Sequence, residues 1–387
     1  METMTVKFEE LEKRDARIEQ QHQNGLEKLQ DMINSIPNAT AAQLEDGGVT
    51  LVALADLKSE IQFNKIAYTQ TELKVMKDLF IAGRESYKIP RDKLDLPVWY
   101  ISRSDLRFDS ANPFASGQYH SLHYGTLSSG ASVAINVVNA TVDDDASRSR
   151  FVEEVNTLNL LRDPHILPFY GANHVGSPML YVTAHAKHGD FVSYLRTHPD
   201  EYFRLFLDAA RGLMYLHKNK VVHGNLKCAN LLVMADGTGV VSDFMFAFVR
   251  ASSVLSLKTK PTTYDWTAPE CLGIGTDANP RFESDIYSLG MCLIEAETGK
   301  RPFQDAASSK TRVREMIRAG ELPHWEAHDA IREDVLKLVA KMCSREPCDR
   351  PKLTEVIRIL EVMAAQEQVT REAARLSQSL ANVSLVP

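Results

Sequence analysis

A change in sequence texture near residue 200 constrains the fold of this chain more than any other feature. Short runs rich in β-branched residues are typical of strands, and they lie at Ser132–Asn139, Met179–Ala184 and Gly239–Asp243. From Glu201 onward helical spacing of apolar residues dominates, at Tyr202–His217, Ser284–Thr298, Asp334–Cys343 and Leu353–Ala365. The pattern predicts an α+β fold with a small β-rich lobe followed by a large α-helical lobe.

The residues before these lobes are typical of helices. Apolar residues recur at a spacing of three to four over Thr5–Ile36, although Asp15, His22 and Gly25 interrupt them. A second, longer helix is expected from Leu54 to Gly83, and the two are expected to form a hairpin. Prolines and charges then indicate a linker. The predicted divisions are a helical hairpin or bundle (1–88), a linker (89–103), a main domain (104–364), and a C-terminal helix and tail (365–387).

Composition excludes several classes of protein. The net charge of -7 and the isoelectric point near 6.0 give no general attraction to nucleic acid. The cysteines number 5, which is an odd count that does not suit a disulfide framework. Charges alternate over Met1–Arg17, unlike a secretory signal, and no uncharged apolar stretch has membrane length. We therefore expect a cytoplasmic protein with no transmembrane segment and no nucleic-acid partner.

Short motifs follow one another in a defined order from residue 133 to residue 351. The central one is the run Val221–Val233, VVHGNLKCANLLV. The others are Val133-Ala134-Ile135-Asn136, Ser242-Asp243-Phe244-Met245, Ala268-Pro269-Glu270, Ser284–Gly290 and Cys348–Pro351. In order and spacing they resemble the protein kinase superfamily, tyrosine-kinase-like group, and the likeness covers Ser104–Ala364. The resemblance implies a bilobal protein-kinase-like fold over residues 104–364.

Residues that phosphoryl transfer requires in this superfamily are replaced. Asn136 stands where the resemblance places the strand lysine that contacts the nucleotide phosphates, and Asn225 stands where it places the catalytic aspartate. A neutral amide forms hydrogen bonds but cannot accept the substrate proton. In the lid, Gly117 is the one glycine kept of three, and His120 adds bulk where backbone should close over phosphate. No catalytic residue is therefore intact, and Asn136 and Asn225 are degenerate positions.

Other positions keep the residue types that the resemblance requires. Lys227 matches the loop lysine, while Asn230 and Asp243 match the metal-ligating positions; with Gly117 and Thr183 they imply binding of ATP and magnesium that is weak or absent. The structural residues that the resemblance implies are Glu154, His223, Phe244, Glu270, Asp285 and Arg350. Simpler alternatives stay open for three residues. Glu154 could be a solvated helix-face carboxylate, Asp243 a loop residue bonded to nearby backbone N–H groups, and His120 a solvent-exposed loop histidine with no ligand role.

A kinase-like scaffold with depleted catalytic groups is typical of a pseudokinase. We expect a signalling scaffold or allosteric regulator that binds protein partners, an active kinase among them, and that oligomerises through its N-terminal helices. Two alternatives stay open. One is a weakly active or atypical ATP-dependent serine/threonine/tyrosine protein kinase, and the other is a nucleotide-binding switch without turnover.

Overall fold

A computed structural model describes residues 48–117, 120–138, 145–243, 248–249, 264–273, 280–306, 309–325 and 331–383. Two compact units divide the chain. The first comprises residues 1–159 and 169–185, and the second comprises residues 160–168 and 186–387. The predicted residues Phe244 and Met245 and the predicted helix Thr5–Ile36 lie outside the described part.

The described helices are α1 (Gly48–Phe63), α2 (Gln70–Ser86), α3 (Asp145–Leu160), α4 (Phe191–Leu195), α5 (Tyr202–Lys218), α6 (Phe282–Thr298), α7 (Lys310–Ala319), α8 (Glu333–Met342) and α9 (Leu353–Val383). The described strands are β1 (Leu106–Phe108), β2 (Ala115–Ser116), β3 (His120–Leu127), β4 (Ser132–Val138), β5 (Phe169–Asn173), β6 (Leu180–Ala184), β7 (Val221–Val222), β8 (Leu231–Val233), β9 (Gly239–Val241) and β10 (Phe248–Val249). The predicted α+β class, with a β-rich lobe before a helical lobe, is confirmed.

The first unit is built on an antiparallel sheet in the order β1-β3-β4-β6-β5, with β2 paired to β3. Alternation along β4 buries Val133, Ile135 and Val137, which pack with Leu180 and Val182 of the neighbouring strand β6. A half-buried antiparallel sheet is expected to show this period of two. Strand β4 therefore holds Asn136 in a fixed register near the middle of the sheet.

The N-terminal helices differ from the predicted arrangement. A single helix from Leu54 to Gly83 was expected, but α1 ends at Phe63 and α2 begins at Gln70. The break has a local cause, because Thr69 and Glu72 form a reciprocal capping box that starts a new helix. Within the described residues α1 and α2 pack on each other and bury Leu57 and Met76 together, while the predicted pairing with Thr5–Ile36 stays a prediction.

The segment between α2 and β1 packs closely against both the hairpin and the sheet. Leu94, Leu96 and Tyr100 are buried in one cluster with Leu54 of α1. The Tyr100 hydroxyl donates to Asp56 Oδ1 of α1 at 2.8 Å and accepts from the Asn173 amide of β5 at 3.2 Å. This segment was expected to be a linker, and the structure shows that it also supplies core residues to the first unit.

The second unit has α5 and α6 at its centre. Helix α5 buries an almost complete apolar face that includes Leu205, Phe206, Leu213 and Leu216. Helix α6 is buried from Ser284 to Glu295 except at Ser288, so its polar residues Asp285 and Glu295 are held inside the unit. Buried carboxylates require hydrogen-bond partners, and those partners lie in the loops that carry the candidate site.

Candidate functional site

Asn136 and Thr183 lie on neighbouring strands of the first unit. Asn136 is buried on β4, between Leu122 of β3 and Tyr181 of β6 in the sheet register. Thr183 is buried on β6, where it pairs with Ala134 of β4. The sheet therefore places a neutral amide at the position where the sequence motif called for a cation.

The structure describes the lid on both sides of its turn, at Gly117 and at His120. The Gly117 N–H donates to the His120 carbonyl oxygen at 2.8 Å, and His120 begins β3 with the extended backbone of a strand. The φ angle of His120 is not positive, so this position does not need the left-handed conformation that favours glycine. His120 therefore differs from a lid glycine by the bulk of its imidazole and not by its backbone conformation.

Glu154, the expected partner of the strand lysine, lies on α3. Its side chain is half-buried. It is not without a partner in the structure. Glu154 therefore keeps an interaction in the structure, although Asn136, at the position of the strand lysine, carries no charge.

In the second unit, Asp285 of α6 fixes the backbone of the loop after β7. Its Oδ2 accepts the His223 N–H at 2.9 Å and its Oδ1 accepts the Gly224 N–H at 2.9 Å. The His217 ring nitrogen Nε2 also donates to Oδ2 at 2.9 Å. Gly224 has a φ of 72°, a conformation that glycine adopts easily and an arginine adopts only with strain.

His223 is fully buried, and both of its ring nitrogens are bonded. Nδ1 accepts the Asn225 backbone N–H at 3.2 Å, so Nε2 carries the hydrogen that it donates to the Ser242 carbonyl oxygen at 2.8 Å. These two bonds define one neutral tautomer. They also join the loop of Asn225 to the strand end that leads to Asp243.

The side chains of Asn225 and Asp243 are in direct contact. Asn225 Nδ2 donates to Asp243 Oδ2 at 3.0 Å, and Asn230 Nδ2 donates to the same oxygen at 3.1 Å. Asp243 has a φ of 61°, which is uncommon for a residue with a side chain. The three predicted residues thus form one polar cluster in which two neutral amides hold one carboxylate.

This cluster does not fit magnesium as it is arranged. Asn230 Nδ2 also donates to the Asn225 backbone carbonyl oxygen at 2.8 Å. Because both of its partners are acceptors, the orientation of this amide is fixed with nitrogen toward Asp243. Magnesium requires oxygen ligands in near-octahedral geometry, whereas N–H groups face Asp243 Oδ2 here.

A second carboxylate of α6 holds the far end of the same loop. Glu295 Oε2 accepts the Cys228 backbone N–H at 2.9 Å and the Trp266 indole N–H at 2.8 Å. Burial raises the pKa of the Glu295 carboxyl above its usual value, although these two hydrogen bonds oppose the shift. Lys227 lies between the two anchored ends and is half-buried.

Glu270 and Arg350 form the predicted buried ion pair. The guanidinium is bidentate, with Nη1 to Oε1 at 2.7 Å and Nη2 to Oε2 at 2.8 Å. Burial would raise the pKa of the Glu270 carboxyl, but the hydrogen bonds from Arg350 and Ser284 are stronger in effect and hold it below the usual value. Arg350 further donates to the carbonyl oxygens of Glu283, Ser344 and Arg345, so its donors are well satisfied.

Sequence reasoning missed several residues that hold this site. The Ser242 hydroxyl and N–H both donate to the Asn230 carbonyl oxygen, at 3.0 and 2.9 Å. The Ser284 hydroxyl donates to Glu270 Oε1 at 2.6 Å. The adjacency of Ser242 to Asp243 and of Ser284 to Asp285 was the available signal, because neighbours in a motif share the same buried loop or helix turn.

The chain is similar to known proteins over most of its length. Residues 109–360 match the family model for protein tyrosine and serine/threonine kinase. Serine/threonine-protein kinase STY46 of Arabidopsis thaliana is 29% identical over 293 residues, which cover 73% of this chain and 48% of that protein. Tyrosine-protein kinase Fer of Homo sapiens is 27% identical over 282 residues, which cover 71% of this chain and 33% of that protein.

Mitogen-activated protein kinase kinase kinase 9 of Arabidopsis thaliana is 30% identical over 210 residues, which cover 53% of this chain and 26% of that protein. The match thus spans less than half the length of each of these relatives. Among the described residues, no helix combines the length and the hydropathy that crossing a membrane requires.

Proposed function

Because this chain belongs to the protein tyrosine and serine/threonine kinase family, we propose that it is a pseudokinase that uses a kinase fold to bind protein partners and does not transfer phosphate. The observation that carries the proposal is the contact of Asn225 with Asp243, in which an amide nitrogen donates to a carboxylate oxygen at 3.0 Å. A catalytic base must present a free lone pair to the substrate hydroxyl.

The chemistry of the amide explains why phosphoryl transfer is lost. Loss of a general base typically lowers a rate by about 10²–10⁴-fold. Asn225 cannot take up a proton, and its amide nitrogen is committed to Asp243. The site therefore lacks a proton acceptor at the position where the family places one.

The nucleotide side of the site supports the same proposal. Asn136 is a neutral, buried residue of β4, so it offers no charge to the α- and β-phosphates. Asn225 and Asn230 together satisfy Asp243 without a cation. We infer that any binding of ATP at this site is weak and gains little from magnesium.

The contacts that hold the shape of the second unit are intact. Asp285 holds the loop backbone, and the Glu270–Arg350 pair holds the segment that follows. Breaking a buried ion pair costs about 3–5 kcal/mol, which is reason enough for retention in a protein that needs its shape. The proposed role is that of a scaffold or allosteric regulator, with residues 104–364 as the pseudokinase domain.

The test is phosphate incorporation from radiolabelled ATP, with magnesium or manganese, by the full chain and by its Asp243→Ala variant. A pseudokinase gives the same background in both. The alternative, a weakly active kinase, gives incorporation that depends on the cation and is lost in Asp243→Ala. That second result would refute the proposal.

A further inference from the structure

The helix α9 extends well past the end of the family match. The match ends at residue 360, whereas α9 runs from Leu353 to Val383. At a rise of about 1.5 Å per residue, the part after residue 360 is about 34 Å long. It is a long addition for which the kinase fold itself gives no reason.

One face of this extension contacts the start of α5 and the residue before it, in the same unit. Glu367 accepts the backbone N–H groups of Phe203 and Arg204 at the start of α5, with distances of 3.0 to 3.2 Å. Arg371 Nη1 lies 3.2 Å from Glu201 Oε1. These contacts fix which side of the helix faces away from the unit.

The opposite face carries an exposed apolar stripe. Val362, Val369 and Leu376 recur at intervals of seven, and their side chains are 54%, 67% and 66% exposed. In the sequence Ala373 falls between Val369 and Leu376, and Leu380 and Val383 follow, so the spacing from Val369 to Val383 alternates between four and three residues. This alternation is the pattern of a helix that packs lengthwise against another helix.

We propose that this stripe is a self-association surface, and that its occupant is the same helix of a second copy of the chain. The residues beside the stripe decide the kind of partner. Ala365, Thr370 and Ser377 are small or uncharged, and Glu372 is the one charged residue among the flanking positions between 363 and 377. A charged partner helix would gain little there, whereas an identical helix meets almost no like-charge repulsion.

The N-terminal segment of the chain is the other candidate occupant. Residues 5–36 also have apolar spacing of three to four, but Asp15 and His22 occupy positions where the contact would be apolar. Burial of these polar groups without partners is costly. The second copy supplies matching apolar positions along the described stripe and is therefore the better fit.

The test is sedimentation of the full chain over a range of concentrations. A single narrow stripe with three exposed apolar side chains predicts a weak dimer, with a dissociation constant on the order of 10 µM. The variant is Val369→Glu combined with Leu376→Glu, and the matched control is Arg375→Glu, which changes the charge equally but lies off the stripe. The altered side chains are exposed, so circular dichroism and melting temperature should stay unchanged.

We expect the double variant to weaken association by at least about 100-fold, because it places carboxylates in an apolar contact. The Arg375→Glu control should associate like the unaltered chain. A chain that stays monomeric up to about 100 µM overturns the proposal. So does a dimer that survives in the double variant, because it would use another surface.

A thiol cross-link then identifies what covers the stripe. In a Cys348→Ser background, a short bismaleimide should join two copies through Val369→Cys and not through Arg375→Cys. Equal linkage at both positions overturns the proposal. Exchange protection of residues 362–376 in a monomer, lost when residues 1–47 are removed, would assign the stripe to the N-terminal segment and would also overturn it.

Discussion

An amide at residue 225 replaces a like-charge contact with Asp243 by a hydrogen bond. A carboxylate there would face Asp243 Oδ2 with a second negative charge, at the distance of 3.0 Å that the amide nitrogen now occupies. Two carboxylates this close strongly disfavour joint ionisation, and a cation normally relieves them. Asn225 removes this need, because it donates a hydrogen instead.

The variant Asn225→Asp should therefore destabilise the protein. We expect a loss of about 1–3 kcal/mol in the free energy of unfolding, from a lost hydrogen bond and a new like-charge contact. Magnesium should recover part of this loss and should hardly affect the unaltered chain. Urea denaturation with and without magnesium measures both effects.

The variant Asn225→Ala is the control, since it removes the donor and adds no charge. It should lose stability without a response to magnesium. If Asn225→Asp were as stable as the unaltered chain in the absence of the cation, the amide contact would have no energetic role.

The motifs located these residues because their order along the chain is fixed by the loops and strands that carry them. The motifs give Asn225 as the degenerate catalytic position and Asn230 and Asp243 as the metal-ligating positions, and the structure brings the three into one cluster. The direction of the hydrogen bonds was beyond sequence reasoning. Whether an amide presents nitrogen or oxygen depends on its neighbours in space, such as the Asn225 carbonyl oxygen.

At the scale of elements, α6 organises most of the candidate site. It carries Asp285 and Glu295, which hold the two ends of one loop, and Ser284, which bonds to Glu270. These contacts are buried and are therefore worth more than exposed ones. Mutations of Asp285 or Glu295 should therefore disturb the loop that carries Asn225 without changing the Asn225 side chain.

The Glu270–Arg350 pair gives a prediction for stability and its pH dependence. Glu270→Gln should cost about 3–5 kcal/mol near pH 7, because it leaves a buried guanidinium without its counter-charge. The matched control is Glu333→Gln, which breaks the exposed pair with Lys337 and should cost less than about 1 kcal/mol.

The pKa of Glu270 is lowered in the folded protein, so its ionised form stabilises the fold. That contribution is fully present above the usual value of 4.5 and is lost as the pH falls through the lower folded value. Urea denaturation should therefore show the difference between Glu270→Gln and the unaltered chain shrinking below pH 4.5. A difference that is constant with pH would contradict a charge-based role.

Periodicity predicted the helices well and their breaks poorly. Apolar residues continue at helical spacing from Leu54 to Leu79, which hides the end of α1 at Phe63. The signal for the break was Thr69 followed by Glu72, a capping pair that the sequence already contained. Local capping overrides periodicity here, because the chain can turn and still bury both apolar faces.

The boundary between the N-terminal helices and the domain that follows can be drawn in two ways. The sequence favoured a hairpin over residues 1–88, separated by a linker from a domain that starts at residue 104. The buried cluster of Leu54, Leu94, Tyr100 and Val175 favours one folding unit. A domain that shares its core with a neighbouring segment is expected to unfold with it.

The variant Leu54→Ala distinguishes these versions. Leu54 is buried in α1 against the segment of Leu94 and Tyr100, so the truncation should cost about 2–5 kcal/mol. Hydrogen exchange should show α1, α2 and strand β5 losing protection together, because the lost packing belongs to a common core. The control is Val75→Ala on the exposed side of α2, which should leave exchange unchanged. Loss of protection confined to α1 and α2, with β5 unaffected, would instead establish the hairpin as a separate domain ending near residue 88.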